Sequence, residues 1–362
     1  MHRKNIFFNS FSVTIVSAIT AIITILTIVS LNSCNQHKNK GSEYPHGWHL
    51  VWNDEFSGKK IDTDKWDFQL GTGSQYGLQG WGNNELQYYR KENAFIKDGK
   101  LVLEARKENY EGCAYTSARL RTVKDDGTEL FTKTYGRIEA RIKMPAGNGI
   151  WPAFWLLPAT TDYGVWASSG EIDILEAKGR LPNRVYGTVH FGQAWPGNKN
   201  TGGMYKFPAG ETIESFHIYS LEWEPGILRW LVDDSVYYET SQWWSLGAGE
   251  AEPYAYPAPF DKPFYILLNF ALGGNYDGGV APDDSNLPAQ MLIDWVRVYE
   301  KDEPYATNVK RPVPELTTDS QHFSYFFTME NDTDPTARLE FNLGLDTNDV
   351  WIENVSVTQE EL

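Results

Sequence analysis

Basic residues, cysteines and helical periodicity are all scarce in this chain of 362 residues. Its 32 Lys and Arg are outnumbered by 48 Asp and Glu, and the formal net charge of −16 would repel phosphate backbones, so we expect no nucleic-acid partner. No long segment has a 3.6-residue period and no internal repeat occurs, which argues against helical and repeat architectures. The 41 % hydrophobic and 14 % aromatic residues suffice for at least one sizeable core.

The amino terminus has the pattern of an export signal. Residues 2–4 are basic, and residues 6–31 contain no charge. The following Leu-Asn-Ser-Cys resembles the lipobox of bacterial lipoproteins, although its Asn departs from the usual pattern. We predict that residues 1–34 are a lipoprotein signal peptide with Cys34 as the lipidated residue, and a retained transmembrane anchor is the alternative.

Either reading predicts an exported protein attached to a membrane of the cell envelope, with the outer face or the periplasmic side left open. The chain has only two cysteines, Cys34 and Cys113. If Cys34 carries lipid, no intramolecular disulfide can form, so stability must come from the core or from a metal.

Short runs of alternating apolar and polar residues dominate the middle of the chain. Runs such as residues 100–106 and 136–143 are separated by Gly, Pro, Asn and Asp clusters and predict β-strands. We predict an all-β sandwich of two antiparallel sheets over residues 46–303, preceded by a polar tether over residues 35–45. Residues 304–362 predict a small C-terminal β extension whose end resembles a carbohydrate-binding module; a stabilising extension without ligand binding is an equal alternative.

One segment, Gly-Glu-Ile-Asp-Ile-Leu-Glu-Ala, concentrates three carboxylates at Glu171, Asp173 and Glu176. In a regular strand, the two-residue period would send Glu176 into the core, where an unpaired carboxylate is costly. A β-bulge around Ile174 and Leu175 would return it to the face of the other two. The glutamate Cα atoms would then lie about 13 Å apart, and their side chains could bring the carboxyls to the roughly 5 Å of a retaining glycosidase.

This geometry predicts a two-glutamate mechanism. One glutamate would attack an anomeric carbon, while the other protonates the leaving oxygen and later deprotonates water. Asp173 would help to keep the acid protonated while the nucleophile stays ionised. From the spacing alone, a solvated acidic strand and a divalent metal site stay open as alternatives.

Tryptophans near this segment favour a sugar-binding site. Trp151 and Trp155 lie four residues apart on one face of a predicted strand that ends at Pro158. Indole rings cover the apolar faces of pyranose rings, whereas two core indoles would each need a buried partner for the N–H group. Other tryptophans must be in the core, and Trp230 and Trp295 are our candidates.

Taken together, these stretches resemble glycoside hydrolase family 16, in its laminarinase-like (endo-1,3-β-glucanase) branch. The likeness runs from about residue 48 to residue 299. The matching motifs, in order, are VWNDEF (51–56), GWGNNELQYY (80–89), TSARL (116–120), YGRIEAR (135–141), WPAFWLLP (151–158), GEIDILEA (170–177), GTVHFG (187–192) and IDWVRVY (293–299). The resemblance implies a β-jelly roll with a cleft across its concave sheet, and hydrolysis with retention of configuration.

The resemblance also implies roles for individual residues. Glu171 would be the nucleophile, Asp173 its helper and Glu176 the general acid/base. The residues implied to bind sugar are Asn83, Arg119, Trp151, Trp155, Trp166 and His190. No cofactor is implied for catalysis, but many members bind a structural calcium ion on the convex side, and the matching positions here are Glu55, Gly99 and Asp294.

The sequence therefore predicts an endo-acting retaining hydrolase of β-1,3-glucan such as laminarin, with mixed-linkage β-1,3/1,4-glucan as a further substrate. Two alternatives stay open: a noncatalytic surface protein that captures glycans in the same cleft, and a hydrolase of a galactan such as agar. Relatives that only bind glucan typically lack the glutamates, which favours the enzyme. We expect a monomer.

Overall fold

Seventeen β-strands make up most of the regular structure in residues 45–302, the part of the chain that this computed structural model describes. The predictions for residues 1–34, including lipidated Cys34, for nearly all of the tether and for residues 304–362 lie outside the described residues. Between residues 45 and 302, no helix has the length and apolar character needed to cross a membrane.

The strands alternate with short turns and five brief 3-10 helices. In chain order the strands are β1 (Trp48–Asp54), β2 (Asp67–Phe68), β3 (Gln87–Tyr89), β4 (Ala94–Lys97), β5 (Lys100–Tyr110), β6 (Cys113–Ser117), β7 (Arg119–Arg121), β8 (Gly136–Lys143), β9 (Ile150–Pro158), β10 (Glu171–Glu176), β11 (Arg184–Gly192), β12 (Asn198–Lys206), β13 (His217–Glu224), β14 (Ile227–Val232), β15 (Ser235–Thr240), β16 (Phe264–Leu272) and β17 (Ala289–Lys301). The 3-10 helices are Ser74–Tyr76, Gln79–Gly82, Lys91–Asn93, Asn275–Asp277 and Asp284–Asn286.

These strands form two sheets. The larger has ten strands in the order β15-β14-β13-β8-β17-β5-β6-β3, with β1 beside β17 and β4 beside β5. The smaller has seven strands in the order β12-β11-β10-β9-β16-β7-β2 and carries the acidic segment on the interior strand β10. Every named pair is antiparallel except β3 with β6. The predicted all-β, two-sheet architecture is confirmed.

The core lies between the two sheets and is rich in aromatic and branched side chains. Trp230 belongs to it and has no exposed surface, as predicted. Trp295 is also buried, at 9 % exposed, but it is not part of the main cluster, because a shift in register between Ile293 and Trp295 changes which residues of β17 point into it. The prediction that Trp295 is buried is therefore confirmed; Val296 belongs to the main cluster, and the Arg297 guanidinium lies 4.3 Å from the Trp295 ring centroid.

Candidate active site

Strand β10 carries a bulge at the position that the acidic segment requires. On β11, Asp173 pairs with Thr188 and Glu176 pairs with Tyr186, so three steps along β10 match two steps along β11. The register with β9 shifts at the same place, between Asp173 and Leu175. The predicted bulge is therefore present, and its two apolar side chains are buried in the core while the three acids share the opposite face.

The core supports the bulge through an indole. Trp230 donates a hydrogen bond of 2.8 Å from Nε1 to the Asp173 carbonyl oxygen. Gly187 on β11 makes room for this ring, since a Cβ at that position would lie 2.3 Å from Trp230 Cδ1. Sequence analysis placed Trp230 in the core but missed this role, because nothing in an apolar strand indicates which distant carbonyl its tryptophan will reach.

The two glutamates are held in different electrostatic states. Burial and the nearby charge of Asp173 raise the pKa of Glu171 to about 7, against the opposing effects of His190 and the Trp166 hydrogen bond. Burial raises the pKa of Glu176 well above its usual range, and the charges of Asp173 and Glu171 both add to this. Glu176 therefore retains its proton as a general acid must, and Glu171 can ionise near neutral pH.

His190 supplies positive charge to the acidic face. Its Nε2 lies 3.4 Å from Asp173 Oδ2 and 3.7 Å from Glu171 Oε1. Burial lowers the pKa of His190, but the adjacent carboxylates of Asp173 and Glu171 outweigh burial and raise it to about 9. The imidazole is therefore protonated at neutral pH and stabilises an ionised Glu171.

A metal centre was the alternative reading of this acidic segment. Glu171, Asp173 and His190 place one potential ligand atom each within 4.8 Å of one another, and no other cluster of this kind occurs in residues 45–302. Both carboxylates lie beside the imidazole, and Glu171 also accepts from the Trp166 N–H group, so each already has a partner within the protein. At neutral pH the arrangement therefore suits proton transfer and nucleophilic attack.

An indole N–H group positions each of the two glutamates. Trp166 Nε1 donates to Glu171 Oε2 over 2.8 Å, and Trp151 Nε1 donates to Glu176 Oε1 over 3.0 Å. Trp166 is 38 % exposed and presents its ring to solvent, whereas Trp151 is buried and stacks on Tyr276 with ring centroids 4.9 Å apart. Trp151, predicted only as a sugar platform, thus also holds the acid.

Arg119 and Trp155 form a second part of the site. The Arg119 guanidinium lies 4.4 Å from the Trp81 ring centroid and 4.9 Å from that of Trp155, and its Nε donates to Gln69 Oε1 over 2.6 Å. Trp155 donates to Asn269 Oδ1 over 2.6 Å rather than to a carboxylate. These contacts fix both side chains beside the acidic face.

Asn83 lies on the exposed rim of the site. Its carbonyl oxygen accepts a hydrogen bond from the Asn275 N–H over 2.7 Å. Gly274 sits between this carbonyl and the Trp151 ring, because a Cβ there would lie 3.1 Å from each. The structure therefore brings Asn83 to the Glu176 end of the site.

Asn269 is a site residue that sequence analysis missed. It accepts from Trp155 and donates to Tyr89 Oη over 3.1 Å. The sequence did indicate this residue, since Asn269 is the one amide in the otherwise apolar and aromatic strand β16. A buried amide in such a strand needs partners, and the active-site face provides them.

The residues predicted to bind calcium have other partners. Both Glu55 carboxylate oxygens accept from Arg297, at 2.8 and 2.9 Å, and Asp294 accepts from Arg141. Gly99 occupies the turn between β4 and β5 with φ +68°. As arranged, these carboxylates do not fit a calcium ion, because a cation would have to displace two guanidinium groups.

Two carboxylic acids on one face, an aspartate between them and indoles suited to sugar rings together define a glycoside hydrolase. Residues 82–297 match the family described as Glycosyl hydrolases family 16. The chain belongs to this family.

Similarity to individual proteins supports the same assignment. The chain is 43 % identical over 268 residues to "Beta-glucanase" of Rhodothermus marinus, covering 72 % of this chain and 87 % of that protein. It is 43 % identical over 268 residues to "Glucan endo-1,3-beta-glucosidase A1" of Niallia circulans, covering 70 % of this chain but only 38 % of that protein. The solved catalytic domain of an endo-1,3-beta-glucanase (laminarinase) from Thermotoga petrophila RKU-1 matches with a TM-score of 0.61 at 39 % identity, covering 71 % of this chain and 99 % of that one. The jelly-roll fold implied by the resemblance is confirmed.

Proposed function

We propose that this protein is an endo-acting retaining hydrolase of β-1,3-glucan that also accepts mixed-linkage β-1,3/1,4-glucan. The observation that carries the proposal is the bulged strand β10, which presents Glu171, Asp173 and Glu176 on one face. The relatives named as glucanases support β-glucan as the substrate class.

In the first step, Glu171 attacks the anomeric carbon and forms a covalent glycosyl-enzyme. Ionised Glu171 is stabilised by the imidazolium of His190 and the N–H group of Trp166. Glu176 donates its proton to the glycosidic oxygen, and the leaving chain departs as a neutral alcohol.

In the second step, Glu176 acts as a base. It now carries negative charge, which the Trp151 N–H stabilises through its 3.0 Å hydrogen bond. It takes a proton from water, the water oxygen attacks the anomeric carbon, and Glu171 leaves as a carboxylate. Two inversions give net retention of configuration.

Mass spectrometry of products from laminarin, barley mixed-linkage glucan and agarose tests the substrate. We expect a ladder of short oligosaccharides from laminarin that is absent with Glu171→Ser and Glu176→Ala. Products from agarose alone would reject the glucan assignment, and retained binding without products would support the glycan-capturing alternative. Proton NMR of the first product formed tests retention, since an inverting enzyme would release the α anomer.

We further propose that the mature protein is a monomer held at a cell-envelope membrane through lipid on Cys34. The sequence pattern before that residue supports this. We expect the wild-type protein to partition into detergent and Cys34→Ala to abolish this partition. Unchanged partition of the variant would favour a retained transmembrane anchor. Light scattering of the protein released from the membrane tests the monomer.

The structural calcium ion stays a proposal with a clear requirement. Binding would need Glu55 and Asp294 to leave Arg297 and Arg141. A rise in melting temperature on adding calcium, lost in Asp294→Asn, would support the ion, and an unchanged melting temperature would reject it.

A further inference from the structure

Trp195 is an unusually exposed aromatic residue close to the active site. Fourteen tryptophans occur in the chain, and all except Trp351 are described. Of these, only Trp166 and Trp195 are exposed, at 38 % and 74 % of their surface. Within residues 45–302, the Trp195 indole N–H has no hydrogen-bond partner and its ring stacks on no other ring.

The backbone holds Trp195 next to Trp166. The Trp195 N–H donates to the Trp166 carbonyl oxygen over 3.4 Å, and the Ala167 N–H donates to the Gln193 carbonyl oxygen over the same distance. The Trp195 loop, residues 193–197, therefore lies against the loop that presents Trp166 to the site. The two exposed indoles therefore belong to adjoining loops.

The base of the Trp195 loop is anchored. The Gly192 N–H donates to the Trp244 carbonyl oxygen over 3.0 Å, and the Leu246 N–H donates to the Gly192 carbonyl oxygen over 2.9 Å. Residues 193–197 read Gln-Ala-Trp-Pro-Gly and carry no charge. A braced, uncharged loop with a bare indole and an exposed amide suits a neutral sugar, whose apolar face stacks on the ring while its hydroxyl groups meet the amide.

We propose that Trp195 is an outer sugar-binding platform that holds a neutral glucan unit beyond the one covered by Trp166. Because Trp166 contacts the nucleophile Glu171, this unit lies on the glycone side of the scissile bond. The inference rests on the proposed hydrolysis of β-glucan and adds to it a preference for long chains.

The test is kcat/KM for a series of β-1,3-gluco-oligosaccharides of increasing length, measured with the full-length protein. For Trp195→Ala we expect wild-type values on the shortest oligomer cleaved and a loss of up to about tenfold on the longest, since a stacking contact is worth roughly one factor of ten. Trp195→Phe should recover most of the loss. Val236→Ala removes an exposed apolar side chain from strand β15 and serves as the matched surface control, with no dependence on length.

Two results would overturn the inference. An equal loss on every length would mean that Trp195 only supports the Trp166 loop, and no loss on any length would mean that the ring binds no sugar. Affinity electrophoresis in laminarin separates this inference from the proposed hydrolysis, because it reports binding without cleavage. Weaker retardation of Trp195→Ala than of wild type supports the platform even where no product forms, and equal retardation rejects it.

Discussion

Replacing Trp151 with Phe removes one hydrogen bond from the general acid and little else. The Trp151 indole donates to Glu176 Oε1 over 3.0 Å and stacks on Tyr276 with the rings inclined by 19°. Phe retains an aromatic ring for that stacking but has no donor. The variant therefore isolates what the indole N–H does for the acid.

The expected loss follows from the charge that Glu176 acquires. A hydrogen bond to a charged group contributes about 1.5–3 kcal/mol, and Glu176 is only partly ionised in the transition state of the first step. We expect kcat on laminarin to fall about tenfold, with about a hundredfold as the upper bound. The indole also lowers the pKa of Glu176, so its loss raises that pKa and moves the basic limb of the kcat/KM profile to higher pH.

The assay is a pH profile of kcat and KM on laminarin, with Trp155→Phe as the matched control. Trp155 donates to Asn269, so its variant should weaken substrate binding and leave the basic limb in place. A laminari-oligosaccharide with a nitrophenol leaving group needs less protonation, and Trp151→Phe should harm its glycosylation less. Unchanged kcat, or a basic limb shifted to lower pH, would refute the reasoning.

Three further predictions concern the same strand. His190→Asn removes the cation that lowers the pKa of Glu171, so the acidic limb of the kcat/KM profile should move to higher pH. An acidic limb that stays in place would contradict the positive charge assigned to His190. Glu171→Gln should raise the melting temperature by a few degrees at pH 8 but not at pH 4.5. The pKa of Glu171 in the folded protein, about 7, exceeds the ordinary 4.5, so ionisation of Glu171 lowers the stability of the wild type as pH rises through 7. Equal differences in melting temperature at both pH values would argue against this. Deleting Ile174 gives Glu-Ile-Asp-Leu-Glu, whose two-residue period still puts three acids on one face. We expect a folded protein that is destabilised by about 2–5 kcal/mol through the lost core side chain and that is more active on laminarin than Glu176→Ala. Activity no higher than that of Glu176→Ala would show that the bulge itself is required.

The bulge could be predicted because its alternative is costly. A regular β10 would bury the Glu176 carboxylate among apolar side chains, where an unpaired carboxylate is costly. The two-residue period then leaves one extra residue as the simplest solution, which the structure contains. Strand positions and the two-sheet fold were predictable for a similar reason, since alternation of apolar residues depends only on local sequence.

Long-range contacts explain what the sequence could not show. In β17 a local signal was present but not used: without the register shift between Ile293 and Trp295, the two-residue period would place Arg297 on the core face with Met291 and Ile293. The partners of Glu55 and Asp294 are arginines distant in sequence, and their choice depends on how the strands of the large sheet align. The hydrogen bond from Trp230 to Asp173 likewise crosses from one sheet to the other.

The two sides of indole chemistry explain why tryptophan, and not phenylalanine, stands beside both glutamates. A phenyl ring could cover a pyranose face, but it could not donate to Glu171 or Glu176. Each glutamate is negatively charged at one stage of the double displacement, Glu171 before attack and Glu176 after proton donation. A neutral donor stabilises each carboxylate in turn. The permanent charge of a lysine or arginine would instead lower the pKa of Glu176 and weaken its ability to hold a proton for the leaving group. The cleft therefore places the His190 cation on the nucleophile side and an uncharged donor, Trp151, on the acid side.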